Sequence, residues 1–216
     1  SEEDETQSNG GYTEGYSNDT DSTFPDSFYA DRSLAIRLVE LLPDGDARNG
    51  ILHLLAVQWA NEDPDAAATW ALEQIPAGHS RDTTLQVLMW NWTQRDRAAA
   101  TQWAESQADL SVRENAMADV ALAMAGTDPI AAAEYVQRLA PGDRKFNAID
   151  SIAYRWSLKD LAASTTWALA LSVEQGRDYA VFQVGAGRAS GDLAAALDWA
   201  SQQPAGVTRD NALGGV

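Results

Sequence analysis

The chain contains no cysteine, so neither a disulfide framework nor thiolate chemistry is open to it. Its two histidines, His53 and His79, stand about a repeat apart with no clustered carboxylate–His spacing, which argues against a metal centre. There is no Gly-x-Ser-x-Gly elbow and no Cys–His arrangement, so nucleophilic catalysis has no visible machinery and no cofactor is implied. No apolar run approaches the ~20 residues needed to cross a bilayer, so no membrane span is expected. Basic residues are scarce: 15 Lys and Arg face 32 Asp and Glu, for a net charge of −17. Residues 1–30 hold eight acids and no Lys or Arg. Nucleic acid and anionic membranes both require a basic surface, and both are excluded as partners on that ground. The chain begins at Ser1 rather than Met, which reads as removal of an export signal and points to an extracellular or cell-surface protein.

What the chain has instead is repetition. The stretch Asp63-Pro64-Asp65-Ala66-Ala67-Ala68-Thr69-Trp70-Ala71 returns in variant form from Asp31, Asp96, Asp128, Asp160 and Asp192, at steps of 32, 33, 32, 32 and 32 residues counted from Asp31. Seven residues after each aspartate comes Leu38, Trp70, Trp103, Tyr135, Trp167 or Trp199. Such a period signals a repeat architecture in which each unit packs on its neighbours.

Each unit carries two helical patterns. Downstream of the aspartate, apolar residues at +3, +4, +7 and +8 (Ala66, Ala67, Trp70, Ala71) mark one face of a B helix. The aspartate caps its free amides, and Pro64 and Pro129 suit the first turn. Upstream, Ile51, Leu52, Leu55, Ala56, Trp59 and Ala60 mark an A helix at −12, −11, −8, −7, −4 and −3. Pro-x-Gly turns such as Pro76-Ala77-Gly78 join B to the next A. Arginine recurs at Arg48, Arg81, Arg113, Arg144, Arg177 and Arg209, at the start of each A helix, where it is expected to donate to the free carbonyls of a neighbouring B helix. The fold expected is all-α: an α-solenoid of about six stacked antiparallel helix pairs, residues 31–216, after an acidic irregular tail over 1–30.

The small residues Ala66 and Ala67, the paired aromatics Trp59 and Trp70 and the closing Pro76 resemble the tetratricopeptide-like group of helical-hairpin repeats. The resemblance spans residues 31–216; it departs in a period of 32 rather than about 34 and in lacking the Trp-x-x-Leu-Gly-x-x-Tyr pattern. It implies a right-handed helical solenoid and protein–protein binding, and no binding residues carry over.

The array opens on a B helix and closes inside an A helix, so its ends are complementary in kind. A head-to-tail contact would complete one repeat and propagate as a filament. The expected role is therefore a non-enzymatic structural subunit, with copies of itself as partners. The interface expected comprises Phe24, Phe28, Tyr29, Leu34 and Leu38 at one end and Arg209, Ala212, Leu213 and Val216 at the other. The alternative is an adaptor or scaffold that binds a peptide or partner protein in the solenoid groove, within a larger envelope protein. Lesser candidates are few. Asn18 opens a glycosylation triplet, Asn18-Asp19-Thr20-Asp21 resembles part of a calcium loop, and Trp90 falls off the buried stripe. Gly185-Ala186-Gly187-Arg188-Ala189-Ser190-Gly191 follows a helical pattern rather than a strand and reads as a weakened A helix, with Arg188 in the place of an aromatic.

Overall fold

A computed structural model describes residues 32–216. Among them there is no strand: twelve helices follow one another, each packed on its neighbours, in an arrangement compatible with a helical-repeat fold. They are α1 Arg32–Glu40, α2 Asp46–Trp59, α3 Pro64–Gln74, α4 His79–Arg95, α5 Arg97–Ser106 and α6 Leu110–Ala125. There follow α7 Pro129–Val136, α8 Asp143–Lys159, α9 Leu161–Ala170, α10 Arg177–Ala189, α11 Leu193–Ser201 and α12 Val207–Gly214. Odd-numbered helices are B helices and even-numbered ones A helices. Successive A helices pack on one another, α2 on α4 through to α10 on α12, and each internal B helix lies against the A helix before it and the one after.

The B helices start where their chemistry dictates. Asp63, Asp96, Asp128, Asp160 and Asp192 each accept the amide of the residue three along (Ala66, Ala99, Ala131, Ala163, Ala195) at 2.9–3.0 Å. Such a cap contributes about 1 kcal/mol. The A helices mostly start after glycine instead. Gly78, at φ 141°, and Gly206, at φ 114°, occupy backbone that side chains disfavour, which lets the chain reverse in the Pro-x-Gly turns.

The buried stripes are those of the repeat. In α6, Ala116, Met117, Val120, Ala121, Met124 and Ala125 are all buried, and in α8 so are Ala148, Ile149, Ile152, Ala153, Trp156 and Ser157. Large rings meet where three A helices cross their B helices: Trp59 on Trp70 at 5.9 Å, Trp92 on Trp103 at 6.1 Å and Trp156 on Trp167 at 5.6 Å between centroids. Arg188 keeps this contact without a ring. Its guanidinium lies 4.6 Å from the centroid of Trp199 and donates to Thr165 Oγ1 at 3.1 Å, so a cation over a π face replaces the stacked pair.

The glycines around Arg188 sit in α10, a helix as expected, and they have a packing reason. A Cβ at Gly185 would stand 2.6 Å from the Ala212 carbonyl oxygen, and one at Gly187 would collide with Ser157 Oγ. Both let α10 approach its neighbours at backbone distance.

The expectation for the six arginines needs correction. Arg113 donates to Gln107 O at 3.3 Å and Arg209 to Gln203 O at 2.8 Å, just past the ends of α5 and α11. Arg48 instead pairs with Asp44 within its own turn at 2.9 Å. In α8 the buried Lys145, not Arg144, donates to Gln137 O and Leu139 O, at 3.3 and 3.4 Å. The reason is register: Lys145 follows Gly142 by three residues, as Arg209 follows Gly206. Arg144 is one step round the helix and lies near Asp119 instead.

The chain uses a second set of cations that the repeat did not advertise. Arg95 donates to Asn61 O at 3.1 Å and to Ala60 O, and Lys159 donates to Gly126 O. Each stands just before a capping aspartate and satisfies carbonyls at the end of the preceding A helix. Between units, Arg32 pairs with Glu62 at 2.6 Å, Arg97 with Asp128 at 3.0 Å and Arg138 with Glu105 at 2.8 Å. These partly exposed pairs contribute little individually, about 0–1 kcal/mol each.

Candidate functional site

Residues four apart share a helix face, and each A helix turns one such triplet away from its buried stripe. In α4 the triplet is Asp82, Gln86 and Trp90; in α6 it is Glu114, Ala118 and Leu122, of which Ala118 is buried and Leu122 packs partly against the core. In α8 it is Phe146, Asp150 and Tyr154, and in α10 it is Asp178, Phe182 and Ala186. The third positions, together with Val57 of α2, form a row of apolar and aromatic side chains across the A-helix layer. Trp90 and Tyr154 are 38% and 39% exposed, and Phe182 in the middle row is 39% exposed, which is unusual for rings of this size.

The middle row joins A helix to A helix. His53 Nδ1 lies 3.0 Å from Thr84 Oγ1, whose own proton is directed to Ser80 O at 2.7 Å, so His53 donates from Nδ1. Burial lowers the His53 pKa and favours this neutral form. Gln183 Nε2 donates to Asp150 Oδ1 at 2.8 Å. Gln86 bonds Asp119, a residue of α6 whose pKa is pushed up to about 7 by burial, against the nearby Arg144 cation and with help from the Asp82 charge. Asp119 is therefore part neutral at physiological pH.

Trp90 is held on this face rather than loose. Its ring edge would be 3.8 Å from a Cβ at Gly126, and the Arg155 guanidinium, reaching from α8, lies 5.6 Å from its centroid. Phe146 and Tyr179 stack nearly parallel at 4.9 Å, tying α8 to α10.

Open depressions lie elsewhere on the described surface. One of about 690 Å³ is lined by α5 alone, from Arg97 to Ser106. A second, about 400 Å³, lies beside Trp59 and Trp70 with Asp63, Asp65 and Glu73. In the second, Thr69 Oγ1 donates to Asp65 Oδ1 at 3.5 Å. Among the described residues no three His, Cys, Asp or Glu side chains gather to hold a metal ion, and no helix is long and apolar enough to cross a membrane.

The residues singled out from the sequence are scattered. Asn18, Phe24, Phe28 and Tyr29 lie outside the described residues. Leu34 and Leu38 lie on α1, with Leu38 44% exposed. At the other end Leu213 is 40% exposed, but Ala212 is fully buried against α10, and Val216 packs on the core. Arg209 is engaged with Gln203 O. The A-helix face itself was half visible: Trp90 stood out as lying off the buried stripe, but the triplet spacing that repeats it as Leu122 and Tyr154 was there to be counted. No protein-family model, curated protein sequence or solved structure matches the chain.

Proposed function

We propose that the chain is a non-enzymatic protein-binding scaffold: an α-solenoid of tetratricopeptide-like hairpins, period near 32, whose A-helix face receives a segment of a partner protein. The observation that carries this reading is the exposure of Trp90 on α4 and Tyr154 on α8, with the partly buried Leu122 of α6 between them in the same row and the Arg155 guanidinium over the Trp90 ring. Rigid aromatic anchors on a preorganised helical surface are what a peptide-binding face requires. Selection of a random peptide library on the full chain tests it. Enriched peptides should lose binding to Trp90→Ala and Tyr154→Ala, and a library yielding no peptide that depends on either residue sinks the reading.

A second reading is a head-to-tail assembly of copies, in an exported filament. It is favoured by the exposed Leu38 and Leu41 at one end of the helix array and Val207 and Leu213 at the other. Sedimentation over a concentration series tests it: a species that grows with concentration, and shrinks when Leu38 and Leu213 are changed to Ser, supports assembly. A monomer at every concentration excludes it.

A further inference from the structure

The A-helix face carries an excess of acids. Its first row is acidic except at Phe146 of α8, with Asp82 on α4, Glu114 on α6, Asp178 on α10 and Asp210 on α12, and Asp150 of α8 adds a carboxylate in the middle row. No Lys or Arg occupies any of the three rows. The cations of the same helices are directed elsewhere. Arg113, Lys145 and Arg209 reach main-chain carbonyls at or just past the ends of B helices, and Arg95 and Lys159 reach carbonyls of the preceding A helix. Two bases flank the rows, Arg155 over Trp90 and Arg144 beside Asp119. Of the acids, Glu114 accepts the Ala140 amide at 3.2 Å and Asp150 accepts from Gln183. Asp178 Oδ1 is enclosed with no hydrogen-bond partner among the described residues.

Resting on the scaffold reading, we propose that the partner segment is a cationic amphipathic helix laid across the A helices. Its apolar face covers the row of Trp90, Leu122 and Tyr154, and its Lys or Arg side chains reach the acidic row. The dimensions fit. Two steps of four residues separate the acidic from the aromatic row by about 12 Å, close to the width of one helix with its side chains. Four A helices, α4 to α10, spaced about 9 Å apart, span about 27 Å, the length of a helix of roughly 18 residues. Like charges along the face repel an acidic segment and select against it.

The test uses the full chain and two synthetic probes of 18 residues with the same apolar pattern, one of Leu and Lys and one of Leu and Glu, titrated by calorimetry at low and physiological salt. The Leu/Lys peptide should bind and weaken as salt rises, and the Leu/Glu peptide should not bind. Asp82→Asn combined with Asp178→Asn should weaken the Leu/Lys peptide about tenfold, as should Trp90→Ala. The control Asp65→Asn combined with Glu134→Gln, on B helices, should change it less than about twofold. Equal binding of both peptides, or equal losses in face and control variants, overturns the proposal. Failure here is distinguishable from failure of the scaffold reading. Library peptides that need Trp90 and Tyr154 but carry no excess of Lys and Arg remove the cationic helix and leave the scaffold standing, whereas no peptide needing either residue removes both.

Discussion

The junction of α4 with α6 and that of α10 with α12 join the same kind of helix by opposite means. Between α4 and α6 the space is filled by side chains: Leu88, Met89 and Val120 are fully buried, and Gln86 meets Asp119 at the rim. Between α10 and α12 the filling is removed. Gly185 meets the Ala212 carbonyl, and a Cβ at Gly215 would collide with the Phe182 carbonyl oxygen. The two junctions thus differ in the side-chain volume placed between their helices, set at a few positions. The first junction should be sensitive to losing atoms and the second to gaining them.

The largest effect is expected in the filled junction. Leu88→Ala should cost about 2–5 kcal/mol in denaturant unfolding, because a fully buried side chain leaves a cavity. Next comes the emptied one: Gly185→Ala should cost about 1–3 kcal/mol, since the clash with Ala212 O outweighs the better helix propensity of alanine. A more stable Gly185→Ala protein would mean that α12 is held loosely, and would dissolve the contrast. The rim of the filled junction should respond to pH. Asp119 has its pKa raised from 3.8 to about 7, so its contribution is present below about pH 4 and is lost as pH rises through 7. Asp119→Asn should therefore gain about 1–2 kcal/mol in thermal melts at pH 8 and nothing at pH 4; a gain of equal size at both removes burial of the charge as the cause. The smallest effect is at Gly50, inside α2, where a Cβ would meet nothing within 4 Å. Gly50→Ala should stabilise by about 1 kcal/mol, opposite in sign to Gly185→Ala.

The contrast also measures what the sequence discloses. Helix positions, aspartate caps and buried stripes were legible because each depends on residues within one turn or one period, as in Asp63 with Ala66 or Ala116 with Val120. Gly185 and Gly187 were legible only as weak points in a helix. Their purpose depends on Ala212 and Ser157, each about 30 residues away, and no local pattern carries that distance. Lys145 differs: it stands three residues after Gly142, as Arg209 does after Gly206, so its role was readable from spacing, and only the recurrence of arginine pointed to Arg144 instead. Of the candidate face, Trp90 was visible as an odd residue, while its alignment with Tyr154 and the acidic row emerges only when successive A helices lie side by side.

The side chains of Arg95 and Lys159 each close off the end of the helix pair that precedes them. Stability is thereby borrowed backwards along the chain. A protease or pulling force that strips α4 or α8 away would expose the unsealed end of the helix pair before it, so at those two junctions the chain should come apart more readily from the carboxyl side than from the amino side.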